Sequence, residues 1–200
     1  MPTVNPFGFR TAYHPSGTIR SRAFKVLDTA QAAYATALFK GVPVLLDTAG
    51  NLKIAAAGGD ILGVLDGFEY VDASGKPTKA PNLPASQTGI TNVTAFVIDD
   101  PDTVFEAVVI SGNTLTSAAL GDQFTAFDGT YTAASGSTYS GQSTCGLAVT
   151  LAGAGVQGLF ALVGFGGGAL NVLGDATNNP NVVVQVKIAR PQLSAVKVAV

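Results

Sequence analysis

An antiparallel all-β body, built as a β-barrel or a compact β-sandwich, is predicted for this chain by three observations. Apolar and polar residues alternate in several short runs. Clusters of Gly, Pro, Asn, Asp and Ser separate those runs at short intervals. Nothing in the pattern supports βαβ units.

The strands are legible one by one. Val44–Leu46 and Leu52–Ala55 flank Asp47-Thr-Ala-Gly50, a hairpin by its residues. Ile61–Val71 places Leu62, Val64, Phe68 and Tyr70 on one face at period two, and Asp72-Ala-Ser-Gly75 turns it back. After the polar loop Pro77–Gly89 come Thr91–Ile98 and Thr103–Ile110, on either side of the acidic turn Asp99-Asp-Pro-Asp102. Gly155–Phe165 and Asn181–Ala189 are further strands, the last with Val182, Val184, Val186 and Ile188 on one face. One short helix is plausible, over Asp28–Ala37, which is Ala-rich with an Asp at its start.

Residues 1–22 read as an extended basic N-terminal arm. Pro2, Pro6, Pro15, Gly8 and Gly17 forbid a regular helix there, and Phe7, Phe9 and Tyr13 are spaced along it without a local core. Such a segment packs on something else: either its own body or a neighbouring subunit. The body is expected over 23–190, with room for a Gly/Ser/Thr-rich second lobe at about 112–180, and a short C-terminal tail at 191–200.

Charge is scarce, at 12% of residues, about half the ~25% usual for soluble domains. It is also sorted. Arg10, Arg20, Arg22 and Lys25 precede the first acid; all acids lie between Asp28 and Asp175; only Lys187, Arg190 and Lys197 follow. Basic ends on an acidic body suit ends that reach an acidic surface. The partner-interface residues expected on this basis are Phe7 and Phe9 as apolar anchors, with Arg10, Arg20, Arg22 and Arg190 facing acids. With the neighbour as partner, removing Pro2–Arg22 would leave the body folded. The uncharged stretch Gly129–Gly174 suggests self-association, as a trimer first and a dimer next, since interface centres are poor in charge.

Chemistry finds little footing. His14 and Cys145 are each the sole residue of their type, which leaves no Cys/His zinc set and no triad around a folded core. A hydrogen bond to backbone is the expected role of His14. Asp99–Asp102 lacks the EF-hand spacing and reads as a turn rather than a cation site. Asp66 and Glu69, three apart on a strand, point to opposite faces and do not make a glycosidase pair. Val163-Gly-Phe-Gly-Gly-Gly-Ala169 matches a dinucleotide fingerprint in letters only, because no acid follows at the needed distance and Asn178-Asn-Pro180 breaks any helix. No catalytic, metal or cofactor residue is therefore expected. The acidic body argues against nucleic acid. Gly153–Leu173, uncharged but broken by glycines, reads as a buried strand with a loop rather than a membrane span. Met1–Phe9 lacks the pattern of a signal peptide, so cytoplasmic synthesis is expected.

Several short motifs carry a family resemblance. "NPFGFR" (Asn5–Arg10) followed by His14 and Gly17, "ALFKGVPVLLDTAGNLKIAAAGGDILGV" (Ala37–Val64), "GFEYVDASGKP" (Gly67–Pro77) and "DDPDTVFE" (Asp99–Glu106) resemble capsid decoration, or cement, proteins of tailed bacteriophages. The likeness covers about residues 5–110. It departs at Val42, where related sequences often carry Asp between the glycine and the proline. The resemblance implies a non-enzymatic virion protein on the capsid exterior, bound to the major capsid protein and tying capsomers together. A head- or tail-fibre adhesin for host-surface glycans is the alternative.

A far-ultraviolet dichroism spectrum of the purified chain should be dominated by β-structure. A helix-dominated spectrum would exclude this fold class.

Overall fold

The computed structural model describes residues 5–26, 37–48, 50–55, 60–85, 89–110, 126–130, 136–151, 159–167, 171 and 181–193. The described residues are all-β, without a helix, and their antiparallel sheets form a sandwich-like arrangement. Apart from Ala37, the stretch expected to be helical lies outside them.

The strands are β1 (Arg10–Tyr13), β2 (Arg22–Lys25), β3 (Leu38–Phe39), β4 (Pro43–Leu46), β5 (Leu52–Ile54), β6 (Gly63–Val71) and β7 (Pro77–Ala80). There follow β8 (Asn82–Leu83), β9 (Thr91–Ile98), β10 (Val104–Val109), β11 (Ala126–Thr130), β12 (Gly146–Leu151), β13 (Phe160–Phe165) and β14 (Val182–Ile188). One sheet runs β1-β10-β12-β11-β13-β14, and β14 also pairs with β10, so the ladder curls back on itself. Its one parallel contact, Val109 opposite Leu147, joins β10 to β12. The second sheet runs β2-β9-β6-β4-β5, with β7 on β6. β3 and β8 form a small ribbon.

Both expected hairpins form. Asp47 closes the β4–β5 turn by accepting the Asn51 amide on Oδ1 at 2.8 Å. Asp72 closes β6–β7, where its carboxylate accepts from the Ser74 hydroxyl (2.6 Å) and from the Ser74 and Lys76 amides. Led by the Ser74 hydroxyl, these donors hold the Asp72 carboxyl below its ordinary value. On β14, Val182, Val184, Val186 and Ile188 are buried and the residues between them are half-buried, the alternation read from the sequence.

The face assigned to β6 needs correction. Leu65 pairs with Val97 but Gly67 pairs with Phe96, so Asp66 is an extra residue, a β-bulge. A bulge inverts the side-chain parity of whatever follows it. Leu65, Phe68 and Tyr70 therefore share the face of Val97, Ala95 and Val93, while Val64 turns to the opposite face with Ile98. Both faces of this half of β6 are buried, so the error left no trace in hydrophobicity.

β9 and β10 do not pair with each other. The Asp99–Thr103 turn is the corner at which the chain leaves one sheet for the other. The N-terminal segment makes the same crossing alongside it, in the opposite direction. β1 pairs antiparallel with β10 (Arg10 opposite Glu106), and β2 pairs antiparallel with β9 (Arg22 opposite Val97). Arg10–Tyr13 and Arg22–Lys25 are thus strands of the body, joined by an exposed connection, and the expectation of an arm lying across a neighbour is corrected here.

The physical reason lies just upstream. Phe9 is 3% exposed and stacks on Phe160, with ring centroids 4.3 Å apart. Its amide donates to the Gly41 carbonyl at 2.9 Å, and the Gly8 amide donates to the Cys145 carbonyl. Gly8 and Gly41 both have positive φ, and a Cβ on either would press on the backbone of the other segment. Two glycines let these chains approach closely enough to seat Phe9 in the common core.

Two further expectations change. The described strands within 112–180, β11 to β13, belong to the same sheet as β10 and β14, and Leu147, Phe160 and Leu162 belong to the common core. At the C-terminal end, Gln192 is docked rather than free. Its side chain accepts from the Leu46 amide at 2.8 Å and donates to the Leu46 carbonyl, while its own amide donates to the Ile61 carbonyl. The tail thus begins later than Pro191, because this side chain supplies β4 with a partner.

Phe9→Ala should lower unfolding free energy by about 3–5 kcal/mol in a denaturant titration, as removal of a buried aromatic does. Deleting Pro2–Arg22 should unfold the chain rather than trim it.

Candidate partner interface

Each predicted interface residue has a definite place. Phe9 is core. Phe7 is half-buried, with the Arg10 guanidinium 4.7 Å above its ring. Arg10 also reaches the Glu106 carboxylate at 2.5 Å. Arg22 pairs with Asp99 at 3.1 Å, and Arg190 with Asp60 at 3.1 Å. Arg20 alone of the six is exposed and has no ion-pair partner among the described residues. Three of the four arginines foreseen in one interface are brought to acids of their own chain, and the six residues are not presented together.

The acidic turn takes up Arg22 and draws in two further basic side chains. Asp99 faces Arg22, Asp100 faces His14 and Asp102 faces Lys187 at 3.2 Å. The turn also closes itself, the Asp102 amide donating to Asp100 Oδ1 and the Thr103 amide to the Asp100 carbonyl. His14 accepts the Ser16 amide on Nδ1 at 3.1 Å, the backbone bond expected of it. Its Nε2 lies 3.2 Å from Asp100 Oδ2 but is poorly aligned for a hydrogen bond.

The remaining acids follow the same pattern. Asp47 pairs with Lys53, Asp66 with Lys40 at 2.6 Å, and Glu69 with Lys79. Among the acids whose side chains are described, Asp72 has no Lys or Arg beside it and is occupied by its turn donors, while Asp100 faces only His14. Three described cations have no acid among the described residues: Arg20, Lys25 and Lys76. The chain is formally acidic, yet among its described residues more cations than acids are left without an ion pair.

Arg20 and Lys25 lie on one strip. Residues 15–23 are exposed throughout, Lys25 is exposed, and Tyr13 and Ile19 add large apolar surface at 51% and 39% exposure. Tyr13, Ile19 and Lys25 were not foreseen as interface residues. Lys25 had a signal, membership in the basic run before Asp28; Tyr13 and Ile19 differ from Phe9 only in where the register places them. A second exposed aromatic, Tyr139, stands fully exposed on the tight turn in which the Gly141 amide donates to the Ser137 carbonyl at 2.7 Å.

A cleft of about 430 Å³ opens between Phe7, Arg10, Lys40, Asp66, Ile98 and Gln142. Its charged walls are neutralised by the Arg10–Glu106 and Lys40–Asp66 pairs. Cys145 lies nearby but is buried, its thiol accepting from the Ser143 hydroxyl and donating to the Gly41 carbonyl. Burial pushes that thiol up to about 11, so at neutral pH it is protonated and a poor nucleophile. Among the described residues no three His, Cys, Asp or Glu side chains gather as a metal set, and no helix is long and apolar enough to cross a membrane.

No protein-family model matches the chain, and neither a curated protein nor a solved structure does.

Two outcomes follow from this geometry. Arg10→Ala, which breaks an ion pair exposed on the arginine side, should cost no more than about 1 kcal/mol in denaturant. Cys145 should react with a thiol reagent only at the rate of unfolding at pH 7. Its raised folded-state value means that stability is fully present below the ordinary thiol value near 9.0 and is lost as pH rises towards 11. A pH series of unfolding midpoints checks the sign.

Proposed function

We propose that this chain is a structural protein of a tailed-phage virion, a decoration protein that binds the outside of the head and ties capsomers together. The strip Tyr13–Lys25 carries this reading: exposed apolar side chains in one segment with two cations that have no acid among the described residues. Such a strip suits an acidic protein surface, with Tyr13 and Ile19 supplying area and Arg20 and Lys25 supplying register and encounter rate. The family resemblance over residues 5–110 supplies the identity of that surface, the major capsid protein. Many copies, each with a modest contact, would reinforce a shell through multivalency. Self-association, as a trimer first and a dimer next, belongs to the same proposal. Catalysis, nucleic-acid binding and membrane binding do not.

Tyr139 favours a second reading. A fully exposed aromatic on a short turn is a platform on which a sugar ring can stack, as an adhesin for host-surface glycans would need.

Purified protein mixed with undecorated shells and, separately, with host-surface glycans distinguishes the two. Shells should bind it. Arg20→Glu combined with Lys25→Glu should weaken that binding by roughly tenfold or more at low salt, with less effect at high salt. Glycan binding that is lost in Tyr139→Ala, with no shell binding, would replace the first reading by the second.

A further inference from the structure

β2 is an edge strand: among the described residues it pairs with β9 on one side and with nothing on the other. The hydrogen-bonding phase of that ladder decides which groups are left over. The Val26 amide donates to the Val93 carbonyl, directly across the extended register. In an antiparallel ladder the bonded positions alternate, so Arg22, Phe24 and Val26 bond to β9, while the N–H and C=O groups of Ala23 and Lys25 point outward.

The side chains alternate as well. Phe24, opposite Ala95, packs against the core. Ala23 and Lys25, opposite Phe96 and Thr94, lie on the other face and are exposed. A strand laid beside β2 would therefore continue two different surfaces. One of its faces would lie next to Phe24 and call for apolar side chains. The other would lie next to Lys25, which has no acid among the described residues, and call for carboxylates.

We propose that β2 is a docking edge for an extended segment that alternates apolar and acidic side chains and adds to the second sheet as a further strand. This rests on reading the Tyr13–Lys25 strip as a contact surface. It goes further by naming the binding mode and the chemistry of the partner. A second copy of this chain, paired through its own β2, is a poor occupant. An antiparallel β2–β2 pair in the phase left open by β9 would set Lys25 of one copy opposite Ala23 or Lys25 of the other, gathering lysines on one face with no acid of β2 between them, and lysine on an edge is a common device against such pairing.

The test uses the full-length protein and a capped octapeptide of alternating valine and glutamate. In the free protein the Ala23 and Lys25 amides should exchange rapidly with solvent, in contrast to Phe24. The peptide should slow exchange at Ala23 and Lys25 by about tenfold or more. An alternating valine–lysine peptide should not, and Arg20→Glu with Lys25→Glu should reverse the preference between the two peptides. Both residues are exposed and unpaired, so the variant should keep the wild-type unfolding midpoint. Slow exchange at Ala23 and Lys25 in the free monomer would mean that the chain covers its own edge, and would overturn the proposal. Protection that appears only with self-association, or no response to the valine–glutamate peptide, would overturn it equally. Peptide binding without attachment to shells would remove the virion reading and leave the docking edge in place. Shell attachment that is indifferent to peptide competition would do the reverse.

Discussion

The pairing of the N-terminal segment with the β9–β10 segment is the constraint on which the rest of the molecule depends. Both segments pass from one sheet to the other at the same corner, antiparallel and side by side, so each sheet acquires a strand from each. Two sheets held face to face only by side chains can slide; two sheets sharing a continuous ribbon cannot. The corner is fastened by charge as well as by backbone bonds. Arg10–Glu106 and Arg22–Asp99 stand at its two ends, and Lys187–Asp102 ties in β14. Each pair is weak by itself. Their value lies in fixing which of several register choices a short ribbon adopts.

A second junction secures the start of that ribbon. Gly8 and Phe9 meet Cys145 and Gly41 through backbone bonds, and the Phe9 ring enters the core against Phe160. Gly41 donates its amide to the Leu65 carbonyl while accepting from Phe9, so one residue satisfies two segments at once. Val42, the position at which the chain departs from its resemblance, is buried at this junction, and its carbonyl accepts the Leu65 amide. An apolar side chain suits that place, because a carboxylate there would have to be desolvated.

The scarcity of charge gives the surface its character. With few ionisable residues, the acids of the described body are taken up by cations of the same chain or by turn amides. What is left over therefore carries information. The residue of this accounting is a basic, partly apolar strip at an open sheet edge, although the chain as a whole is acidic. Net charge is a sum over the chain, and recognition depends on the part that remains unpaired.

How much of this was legible in the sequence can be judged from particular residues. The alternation in Val182–Ile188, the Asp-initiated turns at Asp47 and Asp72, and the all-β class follow from local rules: side-chain period, turn chemistry and the absence of helical periodicity. These act within a few residues, so the sequence by itself determined them. The bulge at Asp66 was not legible, since both faces of β6 are buried there and hydrophobicity carries no phase. Neither was the fate of the basic N-terminal run. Phe7, Phe9, Arg10 and Arg22 need an apolar surface and acids, and a sequence states that need without saying whose surface meets it. The tertiary structure decided that the chain meets it itself, because Gly8 and Gly41 allow a backbone approach that seats Phe9 beside Phe160, and the strand register then carries Arg10 and Arg22 to Glu106 and Asp99. Arg20 and Lys25 have no acid among the described residues for the same reason: pairing between segments distant in sequence, which no local pattern encodes, had already placed the described acids elsewhere.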